Sequence, residues 1–291
     1  MNIRENRDQG SLRVVVTGPI EGHPLRIGAG FAASSFRHEQ FAGRMDPLVM
    51  VDHYTMTEPT FGPHAHAGMS AVSILFEDSE GQFHNRDSLG NDIDLEPGDL
   101  YWLAAGRGAV HDERPRAGAR THGLQVFVNL PARLEHAEPD SLHVRAAQMP
   151  VVEGEGARVR VVLGETNGTA GARSPALPMT ILDAHLEGSG RYTHALPSGV
   201  QVWVYAVDGE AELAASGSTL RLEQGKARAL RVNAAGASLE LRSESGAHVV
   251  LMQGEPLGEP IVQRGPFVMS TVEALEEVTA AYAGVDFGSL L

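Results

Sequence analysis

Short apolar segments recur along the chain: Leu12–Thr17, Pro47–Val51, Ala71–Phe76, Asp99–Leu103 and Leu124–Leu130, then Val159–Val162, Met179–Leu182, Val200–Val207, Ala211–Ala214, Leu239–Leu241 and Val249–Met252. Each has the length of a strand, and β-branched residues are frequent among them. Between them stand Ser88-Leu89-Gly90-Asn91, Glu96-Pro97-Gly98-Asp99, Asp208-Gly209 and Gln224-Gly225, all with the chemistry of tight turns. The pattern predicts an all-β protein, a sandwich or a barrel. Two segments depart from it. Glu135-His136-Ala137-Glu138-Pro139 follows the break at Asn129-Leu130-Pro131 and looks helical, a polar junction between two halves. At the C-terminus Ser270 and Glu273 form a capping-box signature, and Val272, Leu275, Val278 and Tyr282 trace one apolar stripe that ends at Gly284. That pattern predicts a helix whose task is to cover a barrel.

A chain of 291 residues is comfortable for two cores. We place the boundary near Pro150–Gly156, giving domains 1–150 and 151–291. Both halves carry a strand, an acidic turn and a Gly-bearing return of similar length, which suggests duplication.

Charge and cysteine usage narrow the function. The net charge is -14 and the 23 basic residues are scattered singly, so no nucleic-acid-binding face is expected. With no Cys there is no disulfide, thiolate metal site or cysteine nucleophile, and any metal must be held by nitrogen and oxygen. No apolar run has the length of a signal peptide or a membrane span, so a cytoplasmic monomer is the expectation.

The 13 His matter only where their spacing is informative. His64-Ala65-His66 places two imidazoles at i and i+2, on one face of a strand, where they can share an ion. His111-Asp112-Glu113 repeats the spacing with an imidazole and a carboxylate. Two such strands make a four-ligand cage. Three imidazoles and one carboxylate suit Fe(II), Mn, Ni, Cu or Zn, and availability favours iron. Asp52-His53 is expected to be structural, with its His hydrogen-bonded at a strand end, and Trp102 and Met69 to be core. His185, His194 and His248 are dispersed in sequence and none forms H-x-H, so the second barrel is expected to be metal-free. The chain has no Gly-x-Ser-x-Gly elbow, and Gly28-Ala29-Gly30 lacks the strand-helix context of a dinucleotide loop.

The order of these motifs resembles the pirin family of the cupin superfamily. The residues that carry the resemblance are His64-x-His66, Asp87-Ser88-Leu89-Gly90-Asn91, Pro97-Gly98-Asp99-x-x-Trp102, Ala105-Gly106-Arg107-Gly108-x-x-His111-x-Glu113 and Gln125-x-x-Val128-Asn129-Leu130-Pro131. Gly254-Glu255-Pro256-Leu257-x-Glu259-Pro260 and Gly265-Pro266-Phe267-Val268-Met269 resemble the family's second domain. The resemblance implies a double cupin, two jelly-roll β-barrels, with one divalent metal held by His64, His66, His111 and Glu113. It also implies quercetin 2,3-dioxygenase-type activity on a flavonol with dioxygen, Glu113 acting as proton acceptor. The alternative is a metal-binding regulator that contacts transcription factors or metabolic enzymes without turnover. The chain departs from the family at Ser70, where Glu is frequent, at Phe127, where Trp is common, and in the longer stretch Phe76–Gly81. These departures are expected to touch the metal's surroundings and the mouth of its pocket.

Overall fold

The computed structural model describes residues 14–233, 235–283, 287 and 290. Each half of the chain folds into one large and one small antiparallel sheet, the double cupin expected from the motifs. In the first half the large sheet runs Asp140–Val144, Leu100–Ala104, Met69–Leu75, Thr121–Asn129, Leu48–Met56, Phe31–Arg37, His23–Ile27, and the small one His64–His66, Ala109–Pro115, Phe83–Asp87, Asp92–Leu95. In the second half the large sheet is built around Lys226–Val232, Gln201–Gly209, Ala247–Gly254, Met179–Leu186, Ala157–Leu163 and Val151–Gly154. Its small sheet holds Gly190–Leu196, Ala237–Ser243, Ala211–Ala215 and Ser218–Leu222. The second large sheet also takes strands from the other end of the chain: Val14–Val16 and Ile20–Glu21 both pair with Lys226–Val232.

Strand alternation fixes what each sheet buries. Along Met69–Leu75, Met69, Ala71, Ser73 and Leu75 point into the first barrel, while Ser70, Val72 and Ile74 point out of it. Val72 and Ile74 of the outward set are apolar because they meet the other half. Val72, Ile74, Trp102, Leu124 and Val126 of the first large sheet pack with Ile181, Trp203, Val250 and Met252 of the second, so a broad core lies between the barrels as well as inside them. Trp102 and Met69 are buried, as expected. Truncating Leu124 to Ala at this seam should cost about 2–5 kcal/mol, because the rigid facing sheet cannot collapse into the void. The check is a lower denaturant midpoint with an unchanged slope.

Two local expectations need correction. Residues 135–139 are not helical: a 3-10 turn at Ala132–Leu134 precedes them, and Asp140–Val144 follows as the edge strand of the first large sheet. Pro139 disfavours helical geometry at Glu138, and the turn begun at Ala132–Leu134 does not continue into a helix. The C-terminal helix spans Val272–Ala283, but its cap is Thr271, whose Oγ1 accepts from the Ala274 N–H, while Ser270 donates instead to Glu135. Leu275 and Val278 are buried, whereas Val272 and Tyr282 are largely exposed, and Gly284 lies outside the described residues. The barrel this helix covers is the first one. Leu275 and Val278 pack with Ala65, Ala67, Phe267 and Met269.

Candidate metal centre

The site is built where the short strand His64–His66 lies against Ala109–Pro115, with His111 opposite His64 and Ala109 opposite His66. Gly68 closes the turn that follows. Its φ is +70°, and a Cβ there would meet the Val268 carbonyl oxygen at 1.8 Å, so only glycine allows the C-terminal segment this close. Val268 N–H donates to the Ala67 carbonyl, which places Pro266 over His66. The end of the chain thereby completes the first barrel's site.

The three imidazoles converge through their Nε2 atoms: His111 Nε2 is 3.0 Å from that of His66 and 3.0 Å from that of His64. The opposite ring nitrogens explain the orientation. His64 Nδ1 bonds the Gly62 carbonyl at 2.9 Å, and His66 Nδ1 the Pro266 carbonyl at 3.4 Å. A carbonyl only accepts, so these Nδ1 atoms carry the protons and the Nε2 lone pairs are free. Burial, then the charge of neighbouring imidazoles, holds His66 down to about 3 and His111 well below the ordinary histidine value. Three neutral imidazoles cannot satisfy one another at a shared point, because one N–H can serve only one of the two contacts to His111. Two donors about 2.1 Å from one ion and about 90° apart lie about 3.0 Å from each other, which matches the observed spacing. The donor set fits a divalent metal.

Glu113 shares the cavity but lies to one side. Its Oε1 accepts from Ser73 Oγ at 2.6 Å, and its Oε2 is 3.9 Å from His111 Nδ1, a ring nitrogen without a hydrogen-bond partner among the described residues. Burial pushes the Glu113 carboxyl up to about 7 despite the Ser73 hydrogen bond. The cavity measures about 290 Å³. Its walls include Phe31, Tyr54, Phe61, Phe83 and Phe127, and Arg37, Asp52, Gln125 and Gln263 are its other polar side chains. The Tyr54 hydroxyl is buried without a partner among the described residues, and Asp52 accepts from Ser35 Oγ at 2.5 Å.

Ser73 and Arg37 carry no sequence signal, and although Gln125 stands in a family motif and Asp52 precedes His53, neither is at a ligand spacing that would mark it as part of the site. The departures from the family pattern fall differently than expected. Ser70 points to the seam on the outer face of its strand, so the missing carboxylate there does not border the imidazoles. The stretch after Phe76 also lies at the seam, where Glu77 pairs with Arg158 of the second half. Phe127 does line the cavity, edge-on to His66 with ring centroids 5.1 Å apart.

Of the histidines set aside in sequence, His194 stays apart, bonded to Thr166 and Gln253, but the others are brought together. His53 bonds the Tyr205 hydroxyl through Nδ1 and His122 through Nε2, both at 2.7 Å, and His122 Nδ1 bonds Asp78. His185 and His248 face each other across paired strands. His53 is structural, as expected, but it joins the two barrels. Burial, followed by the nearby His122 and His248, lowers it to about 3, with Asp78 opposing the shift. An unfolded His53 binds a proton below about pH 6.5 and the folded one only near 3, so folding stability falls as pH drops through that window. The loss should reach a few kcal/mol. In His53→Gln, denaturation midpoints at pH 7 and pH 4.5 should lie closer together than in the natural chain.

Two packed barrels, one bearing a converging histidine trio in an apolar cavity, define a double cupin with a candidate metal centre in its N-terminal half. The pirin family model matches residues 30–128, and that of the pirin C-terminal cupin domain residues 181–288. Rat pirin is 32% identical over 234 residues, 80% of this chain and 79% of its own length. A Pseudomonas aeruginosa protein provisionally named a quercetin 2,3-dioxygenase is 32% identical over 273 residues, 90% of this chain and 93% of its own. The crystal structure of a quercetin 2,3-dioxygenase from Acinetobacter baumannii superposes with a TM-score of 0.82 at 25% identity, covering 96% of this chain and 99% of that one. The chain belongs to the pirin family. Among the described residues no helix is long and apolar enough to cross a membrane.

Proposed function

We propose that this protein is a metal-dependent dioxygenase that opens a flavonol-like aromatic substrate with dioxygen, His64, His66, His111 and Glu113 holding one divalent ion, Fe(II). The observation that carries the reading is the meeting of free imidazole lone pairs and a buried carboxylate in an aromatic-walled cavity. The ion would supply Lewis acidity and, as iron, redox capacity toward dioxygen. The rest is the work of the chain. Phe31, Phe61, Phe83 and Phe127 give a flat aromatic substrate apolar contact and keep water from it. Tyr54, whose hydroxyl has no partner among the described residues, offers it to a substrate oxygen. Glu113 takes the hydroxyl proton of the substrate, with Ser73 holding the carboxylate in place.

Both oxygen atoms of dioxygen end in the products, the hydroxyl-bearing ring carbon leaves as carbon monoxide, and the proton passes from Glu113 to solvent. The names of the Pseudomonas and Acinetobacter relatives support this substrate class. The test is a panel of flavonols offered to the Fe(II)-loaded protein with an oxygen electrode and carbon monoxide detection. One dioxygen consumed and one carbon monoxide released per flavonol is the expected result; silence across the panel overturns it.

A further inference from the structure

A second group of ligating atoms lies on the outer face of the second barrel's large sheet. Asp183 and His185 stand at i and i+2 on Met179–Leu186, and His248 is the register partner of His185 on Ala247–Gly254. All three side chains therefore share one face, where Asp183 Oδ1 is 2.5 Å from His248 Nε2 and 3.8 Å from His185 Nε2. One donor atom from each lies within 4.8 Å of the others. The two imidazole rings are stacked, with centroids 4.1 Å apart and planes 17° from parallel.

The supports of this group are fixed from outside. Arg160, itself fully buried, donates through Nε and a terminal nitrogen to Asp183 Oδ2 at 3.1 and 2.6 Å, and through its other terminal nitrogen to the Gly98 carbonyl at 2.9 Å. This clamp leaves Oδ1 as the oxygen directed at the imidazoles. Glu77, 3.7 Å from Arg160, offsets part of the positive charge that an arriving cation would meet. On the other flank Phe76 packs edge-on to His248 with centroids 4.7 Å apart, limiting that ring's rotation. The His185 side chain is 42% exposed, which gives an ion a path from solvent.

We propose that Asp183, His185 and His248 form a second binding site for a divalent transition-metal ion, independent of the trio in the first barrel. Two imidazoles and a carboxylate are a donor set for Zn(II), Ni(II), Co(II) or Fe(II), with water completing the coordination. Binding at His248 Nε2 moves its proton to Nδ1, so the ring stays neutral and the hydrogen bond to Asp183 is exchanged for a bond from each to the ion. Arg160 then serves as the partner that orients the carboxylate ligand.

The experiment is a calorimetric titration of the full chain with Ni(II) alone at neutral pH. The natural chain should take up two equivalents, His185→Ala one, His64→Ala/His66→Ala one, and the triple variant none. Loss of the second equivalent in His185→Ala, with the first unchanged, supports the site. Saturation of the natural chain at one equivalent that His185→Ala retains, or a second equivalent that persists in that variant, overturns it. Since His185 is exposed, its replacement leaves the folded chain available even if the double variant of the first barrel misfolds. A chain in which His185→Ala removes the sole equivalent bound would place the failure in the first site and not in this one.

Discussion

Replacing His64 and His66 together by alanine should abolish metal binding in the first barrel and leave both barrels folded. The two residues supply two of the three converging Nε2 atoms, and what remains is His111 with a carboxylate that leans toward Ser73. One imidazole beside one carboxylate lacks the chelation that holds a divalent ion in water. The fold does not depend on them to the same degree. Their strand is three residues long, and the barrels are held by apolar clusters that do not include either ring. A stability loss of no more than about 1–2 kcal/mol is expected from the metal-free comparison. Elemental analysis and circular dichroism of the same preparation provide the check. An unfolded double variant would make the ion a structural element and remove the ground for a catalytic one.

The ligand pairs were legible because a strand turns spacing into geometry. Residues at i and i+2 share a face whatever the rest of the fold does, so His64-x-His66 and His111-x-Glu113 announce themselves. His185 and His248 are separated by 63 positions, and only the pairing of their strands makes them neighbours. Sequence spacing carries no trace of such register, and the same holds for His53 and His122. The strands Phe83–Asp87 and Ala109–Pro115 were equally hidden as apolar runs, because the inward positions that would be hydrophobic in an ordinary barrel are here Asn85, His111 and Glu113. A polar interior is the cost of a functional one. The placement of Ser70 is instructive in the other direction: its nearness in sequence to the ligands suggested nearness in space, yet alternation along the strand sends it to the opposite side of the sheet.

Glu113→Gln should separate catalysis from metal holding. The amide is nearly isosteric with the carboxylate, and its oxygen can still accept from Ser73, so the cavity keeps its shape. The three imidazoles approach one another without help from Glu113, whose Oε2 lies 3.9 Å from His111 Nδ1, so the ion should be retained with lowered affinity as the charge of the site rises. The substrate's proton then has no carboxylate in reach. Asp52, the other acid of the cavity, is engaged by Ser35, and a serine hydroxyl such as Ser73 is a poor base at neutral pH. Removing a positioned general base costs about 10²- to 10⁴-fold in rate, and flavonol oxygenation at matched metal content should fall into that range while flavonol binding, followed by absorbance, persists. Equal rates in the two proteins would take the proton-transfer role away from Glu113. Loss of the ion along with the rate would instead make Glu113 the fourth ligand first and a base second, a distinction that metal content alone can read.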